Sequence, residues 1–446
     1  MNKFDAIIIG FGKGGKTLAS ELASRDWNVA VIERSKEMYG GTCINIACIP
    51  TKSLAYQAHQ GKDYEKAINS KDQLTSLLRQ KNYDKLDQNT NIEVINGEAS
   101  FLSDHEVQVQ QDGKTITLSA DKIFINTGAE TIIPDIDGIQ DSQFVYTSTT
   151  IMNLKKLPKH LAIIGGGYIG LEFASIYNQF GSKVTILEES SKFLPKEDRD
   201  VADAVQQSFE KKNIEVKLNA KATCIKDIED GTILSYKVDD SVQELKVDAV
   251  LIATGRKPNI EGLHLDAAGV KVTDKGAIQV DSTLRTTVPH IWALGDVKGG
   301  PQFTYISLDD YRIVRNDLFS SSSYTANDRN TVPYSVFIDP PLSRVGLSEE
   351  EAVAQGYDIK VAKLPTAAIP RSRIIEETEG FLKAIVDGKT CKILGATLFC
   401  AESNEIINIV SMAIATGQEY TFLRDHIFTH PTMSEALNDL FSQIKE

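Results

Sequence analysis

The sequence predicts an α/β fold with two Rossmann-like dinucleotide-binding domains and a C-terminal α+β domain. The main observation is a glycine-rich motif that occurs twice, at residues 10–15 and 165–170. Each motif lies between a strand pattern and a helix pattern, and a second strand then ends in a glutamate, Glu33 or Glu188. The first glycine and the glutamate are 23 residues apart in both units (33 − 10 and 188 − 165). Two such matches with βαβ context are specific for dinucleotide binding.

The first unit begins with an apolar strand at 5–9, a helix through Ser24 and a strand at 28–32. The glycines allow the backbone to approach a pyrophosphate, the helix N-terminus binds it, and the glutamate accepts from ribose hydroxyls. A polar helical pattern follows at 54–90, and short strands alternate over 91–125. The unit closes on an apolar strand before Thr127 and Gly128.

The second unit repeats this order and closes on an apolar strand before Thr254 and Gly255. A further strand leads to Asp296, whose carboxylate suits a hydroxylated cofactor chain, and a Ser-rich stretch at 319–330 is typical of a linker. Beyond residue 332 the pattern changes to strands at 334–337, 380–386 and 393–399, with helices at 402–416 and 434–444. The predicted segments are 1–147 and 258–330 for the first domain, 148–257 for the second and 331–446 for the third.

Two cysteines, Cys43 and Cys48, lie five positions apart just after the first glycine motif. In a regular helix that separation is roughly 8–9 Å between Cα atoms, whereas a disulfide needs about 4.4–6.8 Å. Bridging the pair therefore needs an irregular helix opening, for which Gly40 and Gly41 provide backbone freedom. A helix that begins near Cys48 places this sulfur at the positive helix end, which favours the thiolate. The pattern indicates a redox-active disulfide, and two buried free cysteines are the alternative.

The composition restricts the class of protein. A chain of 446 residues is too long for one ordinary core, and a net charge of −13 argues against nucleic acid or an anionic membrane surface as partner. Five sparse cysteines do not form a secreted disulfide framework, and no apolar run suits a signal peptide or a membrane span, so we expect a cytoplasmic protein. Cys224, Cys391 and Cys400 fall in strand-like runs and are expected to be inert core residues.

The order of these motifs resembles the pyridine nucleotide-disulfide oxidoreductases, which include glutathione reductase, dihydrolipoamide dehydrogenase and mercuric reductase. The resemblance covers essentially the whole chain and includes the segments 40–52, 253–259, 293–296 and 430–435. It implies FAD on the first unit, a nicotinamide dinucleotide on the second, and a C-terminal domain that forms a homodimer with shared active sites. Ala47 departs from the family's usual glycine, and it is tolerated if its φ is negative.

Three further segments, 300–314, 367–374 and 427–441, resemble a narrower branch, the bacterial reactive-chlorine-resistance flavoproteins. That branch is associated with reduction of hypothiocyanous acid and of copper(II). The resemblance thus implies an enzyme that uses NAD(P)H to reduce a small oxidant, with hypothiocyanous acid as the expected substrate. Dihydrolipoamide dehydrogenase, a mercuric or copper(II) reductase, and a non-catalytic redox sensor are the alternatives.

The resemblance also implies roles for individual residues. The expected catalytic residues are Cys43, Cys48, Lys52, Glu172, His430 and Glu435. The expected FAD-binding residues are Gly10, Gly12, Gly15, Glu33, Gly41, Thr42, Lys52, Thr127, Gly128 and Asp296. The expected NAD(P)H-binding residues are Gly165, Gly167, Tyr168, Gly170, Glu188 and Gly255. No metal-ligand set is expected.

In this scheme Cys48 faces the flavin, Cys43 meets the substrate, and Glu172 neutralises Lys52 beside the flavin. Tyr168 resembles an aromatic gate for the nicotinamide. His430 of a second subunit, oriented by its Glu435, is expected to move the proton, because imidazole titrates near neutrality.

Glu188 of the expected NAD(P)H-binding set would repel a 2′-phosphate, which predicts NADH over NADPH. Arg371 and Arg373 either hold an anion or lie on the surface, and His426 is a weaker candidate for the site.

Overall fold

The structure is a computed structural model that describes residues 2–111, 113–239, 241–329 and 331–445. It has the predicted α/β architecture, and each predicted unit is built on its own sheet. The strands of the first unit are β1 Asn2–Ile9, β2 Val29–Glu33, β3 Ile92–Asn96, β4 Glu98–Phe101, β5 Glu106–Gln111 and β6 Lys114–Ile125. Its helices are α1 Lys13–Ala23, α2 Thr42–Asn45, α3 Cys48–His59 and α4 Tyr64–Asp87.

The second unit follows the same plan with a smaller helical layer. Its strands are β7 Ala129–Thr131, β8 Val145–Thr147, β9 His160–Ile164, β10 Lys183–Leu187, β11 Ile214–Lys217, β12 Ala220–Ile228, β13 Gly231–Val238, β14 Ser241–Val247, β15 Ala249–Ile252 and β16 Arg256–Pro258. Its helices are α5 Tyr168–Gln179 and α6 Arg199–Lys211. The chain then returns to the first unit with β17 Ile291–Ala293 and α7 Thr304–Phe319.

The third unit is an antiparallel sheet with helices packed on it. Its strands are β18 Tyr334–Val336, β19 Leu342–Gly346, β20 Ile359–Pro365, β21 Phe381–Asp387 and β22 Ile393–Phe399. Its helices are α8 Glu349–Ala354, α9 Pro370–Ile374, α10 Ser403–Ala415, α11 Tyr420–Arg424 and α12 Ala436–Ser442. The sheet order is β18-β19-β22-β21-β20, and every pairing in it is antiparallel.

Both glycine loops lie at a point where strand order reverses. In the first sheet β1 pairs in parallel with β2 on one side and β6 on the other, and in the second sheet β9 lies between β10 and β15. Ligands of open α/β sheets bind at the carboxyl ends of strands at such a switch point. Gly10 and Gly165 leave their strands at φ +102° and +107°, and a Cβ would come within 2.4 Å and 2.5 Å of the backbone oxygen of the neighbouring chain segment. Only glycine fits there.

One hydrophobic cluster joins the three units and holds the redox helix in place. It includes Leu54 of α3, Ile163 of β9 and Phe399 of β22, all at most 1 % exposed. Because α3 packs against α5 through this cluster, its first turn has a fixed position relative to the second glycine loop.

Several expectations need correction in detail. Val145–Thr147, which precedes the predicted boundary at 147, pairs in parallel with β15 and so extends the second sheet. Cys400 is buried, but Cys224 is only partly buried, and Cys391 lies in a turn with φ +61° at the edge of the core rather than in a strand. The strand expected to lead to Asp296 ends earlier, at Ala293, and Asp296 lies in the first turn of a short 3₁₀ helix, Gly295–Lys298. β19 and β20 lie outside the predicted strands.

Candidate active site

The two strand-end glutamates each hold a glycine loop. Glu33 Oε2 accepts from the backbone N–H of Phe11 at 3.0 Å, and Glu188 Oε2 accepts from that of Gly166 at 2.7 Å. A second backbone N–H, from Ser35 or Ser190, binds the other carboxylate oxygen. Burial raises the pKa of Glu33, and its backbone partners oppose that shift. Since a carboxylate has about four lone-pair sites, both side chains keep acceptor capacity for a ribose hydroxyl.

A single cavity of about 2090 Å³ connects the two loops. This is more than twice the usual upper size of a small-molecule site, about 1,000 Å³, and so has room for two dinucleotides. The cavity is lined by most of the predicted site residues: Gly10, Gly12, Glu33, Gly41, Thr42, Cys43, Cys48, Lys52, Thr127, Gly128, Gly167, Tyr168, Glu172, Gly255 and Asp296.

Two predicted glycines lie behind the loops and serve packing. A Cβ on Gly15 would come within 2.9 Å of the carbonyl oxygen of Gly10, and one on Gly170 within 2.2 Å of that of Gly165. These two glycines therefore allow the close contact between helix and strand that the motif requires at its last glycine.

The redox pair lies at a break between two helices. The α2 helix ends at Asn45 and α3 begins at Cys48, with Ala47 between them at φ −139°, the negative φ that alanine requires at this position. Both cysteines are thiols in this structure.

A hydrogen bond from the Cys43 thiol lowers the pKa of Cys48 to about 6. The Thr304 hydroxyl, 3.5 Å from the Cys48 sulfur, and the charge of Lys52 act in the same direction, against burial. The same Cys43–Cys48 hydrogen bond, together with burial, raises the pKa of Cys43. In the reduced pair Cys48 is therefore the thiolate and Cys43 keeps the proton.

Lys52 and Glu172 lie beside the redox pair. Lys52 Nζ donates to Glu172 Oε2 at 2.6 Å, and Glu172 Oε1 accepts from the backbone N–H of Phe337 at 2.9 Å. The ammonium lies 4.6 Å from the centroid of the Phe337 ring. Lys52 on α3 is thus fixed by a residue of the second unit and a residue of the third.

Three functional positions have no signal in the sequence pattern. Asn126 Oδ1 accepts from Gly15 N–H at 2.9 Å and its Nδ2 donates to the Leu294 carbonyl at 2.7 Å, so it joins the first glycine loop to the segment before Asp296. Thr304 contacts the Cys48 sulfur from 256 residues away. Lys16 Nζ donates to Asn82 Oδ1 at 2.6 Å, and burial, with the charge of Lys13, lowers the pKa of Lys16 to about 8, opposed by Cys43.

Tyr168 is the first residue of α5 and faces the cavity. Its hydroxyl donates to Glu197 Oε1 at 2.6 Å, and its ring lies 5.5 Å from that of Tyr334. The Tyr334 hydroxyl donates to the same carboxylate oxygen.

His430 and Glu435 form a pair on the surface. His430 Nδ1 lies 2.8 Å from Glu435 Oε2, and the His430 side chain is 69 % exposed. Both residues, and His426, lie outside the set of described residues that line the cavity. Arg371 is 3.9 Å from Glu402, and Arg373 is exposed, so within one chain neither arginine faces the redox pair.

One His/Asp cluster that the sequence does not reveal comes together through long-range packing. Asp104, His105 and His290 place ligand atoms within 4.8 Å of one another. The two rings are stacked 3.9 Å apart at 1°, and one nitrogen of each is within 3.0 Å of a backbone carbonyl. An ion about 2.0–2.1 Å from a nitrogen of each ring would lie outside both ring planes, so this geometry does not form a metal site.

The residues and their arrangement define a class of protein, and the chain belongs to the pyridine nucleotide-disulphide oxidoreductases. The family model matches residues 4–310, and the model of the family's dimerisation domain matches residues 332–441. The chain is thus an oxidoreductase of a family that uses FAD and a pyridine nucleotide. Among the described residues, no helix is long and apolar enough to cross a membrane.

Within this family the chain is 53 % identical to the probable pyridine nucleotide-disulfide oxidoreductase RclA of Escherichia coli (strain K12), over 100 % of both chains. It is 32 % identical to a mercuric reductase of Staphylococcus aureus, over 97 % of this chain and 81 % of the relative. A solved Cu(II) complex of the HOCl-induced flavoprotein disulfide reductase RclA from Escherichia coli superposes with a TM-score of 0.97 at 52 % identity, over 100 % of both chains.

Proposed function

We propose that the protein is an NADH-dependent flavoprotein disulfide reductase that reduces hypothiocyanous acid to thiocyanate through Cys43 and Cys48. The observation that carries the proposal is the placement of the redox pair in a cavity that both glycine loops line. Cys48 there has a pKa of about 6, so it is a thiolate at neutral pH.

The residues present fit FAD on the first unit. Glu33 and the N-terminus of α1 suit the adenosine ribose and the pyrophosphate, and Asp296 and Thr127 line the same cavity. When bound, FAD and NADH supply hydride and electron transfer that no side chain can perform.

The chain's own residues position and protonate the reacting groups. Lys52, fixed by Glu172, keeps a positive charge beside Cys48 and stabilises its thiolate. Because Cys43 holds the proton in the reduced pair, its attack on a substrate needs a base. We assign that role to the partner subunit's His430, whose exposed ring is oriented by Glu435, in a homodimer formed through the C-terminal domain.

The proposed reaction balances in atoms and electrons with hypothiocyanous acid as the oxidant. The Cys43 thiolate attacks the sulfur of hypothiocyanous acid, forms a sulfur–sulfur bond and displaces hydroxide. The Cys48 thiolate then attacks the Cys43 sulfur, forms the Cys43–Cys48 disulfide and displaces thiocyanate. The net reaction is NADH + HOSCN → NAD⁺ + SCN⁻ + H₂O, in which two electrons pass from NADH to the oxidant.

We assign NADH rather than NADPH from the second unit. Glu188 is fixed at the end of β10 by two backbone hydrogen bonds, from Gly166 at 2.7 Å and Ser190 at 2.8 Å. A fixed carboxylate at this position accepts from a free ribose 2′-hydroxyl and repels a 2′-phosphate.

Reduction of Cu(II) is the second candidate. It is supported by the solved Cu(II) complexes of the relative from Escherichia coli, both the unmodified protein and a C43S mutant. Dihydrolipoyl dehydrogenase and mercuric reductase activities are less well supported, since a mercuric reductase of Staphylococcus aureus is 32 % and a dihydrolipoyl dehydrogenase of Geobacillus stearothermophilus 31 % identical to this chain.

An oxidant screen tests the proposal. The purified holoenzyme is given NADH and, separately, hypothiocyanous acid, lipoamide, glutathione disulfide, Hg(II) or Cu(II). We expect the highest kcat/KM with hypothiocyanous acid, and a fall of about a thousandfold or more in C43S because the nucleophile is lost. C391S alters a partly buried cysteine at the edge of the core of the third unit, outside the cavity lining, and is the matched control that should keep wild-type turnover. Wild-type turnover in C43S would contradict the scheme.

A further inference from the structure

Glu197 is a buried carboxylate that the chemistry above does not use. It is 2 % exposed and lies in the loop between β10 and α6, at the boundary between the second and third units. Its Oε1 accepts from both Tyr168 and Tyr334. Its Oε2 has no hydrogen-bond partner among the described residues, and faces Arg344 Nη1 at 3.7 Å.

The partners of Glu197 differ in where they lie in the fold. Tyr334 lies on β18, and Arg344 lies on β19, where it also binds the Lys196 carbonyl at 2.8 Å and Glu351. Both belong to the sheet of the third unit; they line the same cavity as Tyr168 but are not part of the second glycine loop. Tyr168 instead begins α5 directly after that loop, one turn before Glu172, and its ring borders the cavity where the nicotinamide of the proposed function would lie.

We infer that Glu197 is a positioning residue that holds the Tyr168 ring closed over the nicotinamide site, as a latch anchored to the third unit. This inference rests on the proposed function. A hydrogen bond to a charged carboxylate is stronger than one to a neutral group, so NADH must break a strong bond to displace the ring. The latch therefore lowers the apparent affinity for NADH.

Three substitutions test the latch by steady-state kinetics with NADH and a saturating oxidant. E197Q keeps the shape but removes the charge, and Y168F keeps the ring but removes the donor. E197Q is expected to lower KM for NADH about fivefold, as when a charge-assisted bond becomes a neutral one, and Y168F, which loses the bond, at least as much, with the effect on KM rather than on kcat. Because both act on the same bond, Y168F/E197Q should give the effect of Y168F alone rather than the product of two independent effects.

Y334F is the discriminating control. It leaves Tyr168 as the one hydroxyl that donates to Glu197 Oε1 among the described residues, and it also removes the longer 3.3 Å contact between the Tyr168 and Tyr334 hydroxyls. Because the shorter bond from Tyr168 to Glu197 is kept, KM for NADH should be unchanged or higher. If Glu197 were only structural, Y334F and E197Q would shift KM the same way.

Additive effects in the double variant, or a fall of KM in Y334F, would overturn the latch while leaving the proposed function intact. A wild-type holoenzyme that oxidises no NADH with any oxidant would overturn both. If E197Q does not fold, as judged by its melting temperature, Y168F and Y334F still decide the question.

Discussion

In the first unit the strand before the Thr-Gly pair leads to Asn126, and in the second unit the corresponding residue is Ala253. Both backbone oxygens lie against the first glycine of their loop, at 2.4 Å and 2.5 Å from a Cβ built there. Of these two residues, only Asn126 has a side chain that can form hydrogen bonds of its own. It binds Gly15 and Leu294 and so ties the first loop to the segment that carries Asp296.

The charges around the two loops differ as well. Glu33 is buried, and Lys16 lies close to the redox pair, whereas Glu188 is partly buried at the end of β10. A loop tied across three segments fits a dinucleotide that stays bound, and a loop held chiefly by one carboxylate fits a dinucleotide that exchanges. We therefore expect the same βαβ plan to serve two different binding lifetimes.

The largest expected effect comes from removing the tie of the first loop. N126A leaves Gly15 N–H and the Leu294 carbonyl buried without the partners that Asn126 provides, at a cost of about 1–3 kcal/mol each, so we expect the holoprotein to lose about 2–6 kcal/mol and much of its FAD. Thermal melting and the flavin-to-protein ratio measure this. N178A, which loses one hydrogen bond to Lys212 on the second unit, is the matched control and should keep its FAD. Full flavin content and an unchanged melting temperature in N126A would show that the two loops are held alike.

A smaller effect is expected at the second loop. E188Q keeps an acceptor for the Gly166 N–H but removes the charge that repels a 2′-phosphate. We expect the ratio of kcat/KM for NADH over NADPH to fall about tenfold, which corresponds to about 1.4 kcal/mol. E189Q alters an exposed neighbour that pairs with Lys221 at 2.9 Å, and its ratio should stay near that of the wild type. A wild type that prefers NADPH would contradict this assignment.

The smallest effect concerns the thiolate. Because the pKa of Cys48 is lowered to about 6, its thiolate exists above that pH and is protonated as the pH falls through it. The long-wavelength absorbance of thiolate against flavin in the two-electron-reduced holoenzyme should therefore titrate with a midpoint near pH 6. In K52M the midpoint should rise, since a nearby positive charge is lost. An unshifted midpoint would mean that Lys52 does not act on this sulfur.

The sequence predicts the fold well because two βαβ units and their strand-end glutamates depend on local pattern. The break between α2 and α3 and the position of Cys48 are likewise local. Asn126, Thr304 and Glu197 act through contacts between residues far apart in the chain, and no spacing rule reveals those. The sheet to which Val145–Thr147 belongs is set by the pairing of this strand with β15, which is also a contact between residues far apart in the chain.

The His430–Glu435 pair shows a different limit. Its residues were predicted from a short motif, and the structure brings the two side chains within 2.8 Å. In the proposed function they act at the redox pair of a second copy of the chain, a placement that no property of one sequence or one chain fixes.

Anaerobic titration of the holoenzyme with NADH, with thiols counted by alkylation, tests the central claim that electrons reach the Cys43–Cys48 bond. We predict that one equivalent of NADH creates two new alkylatable thiols per chain while the flavin remains oxidised, and that C43S gives none. Loss of flavin absorbance with the first equivalent and no new thiols in the wild type would contradict the account.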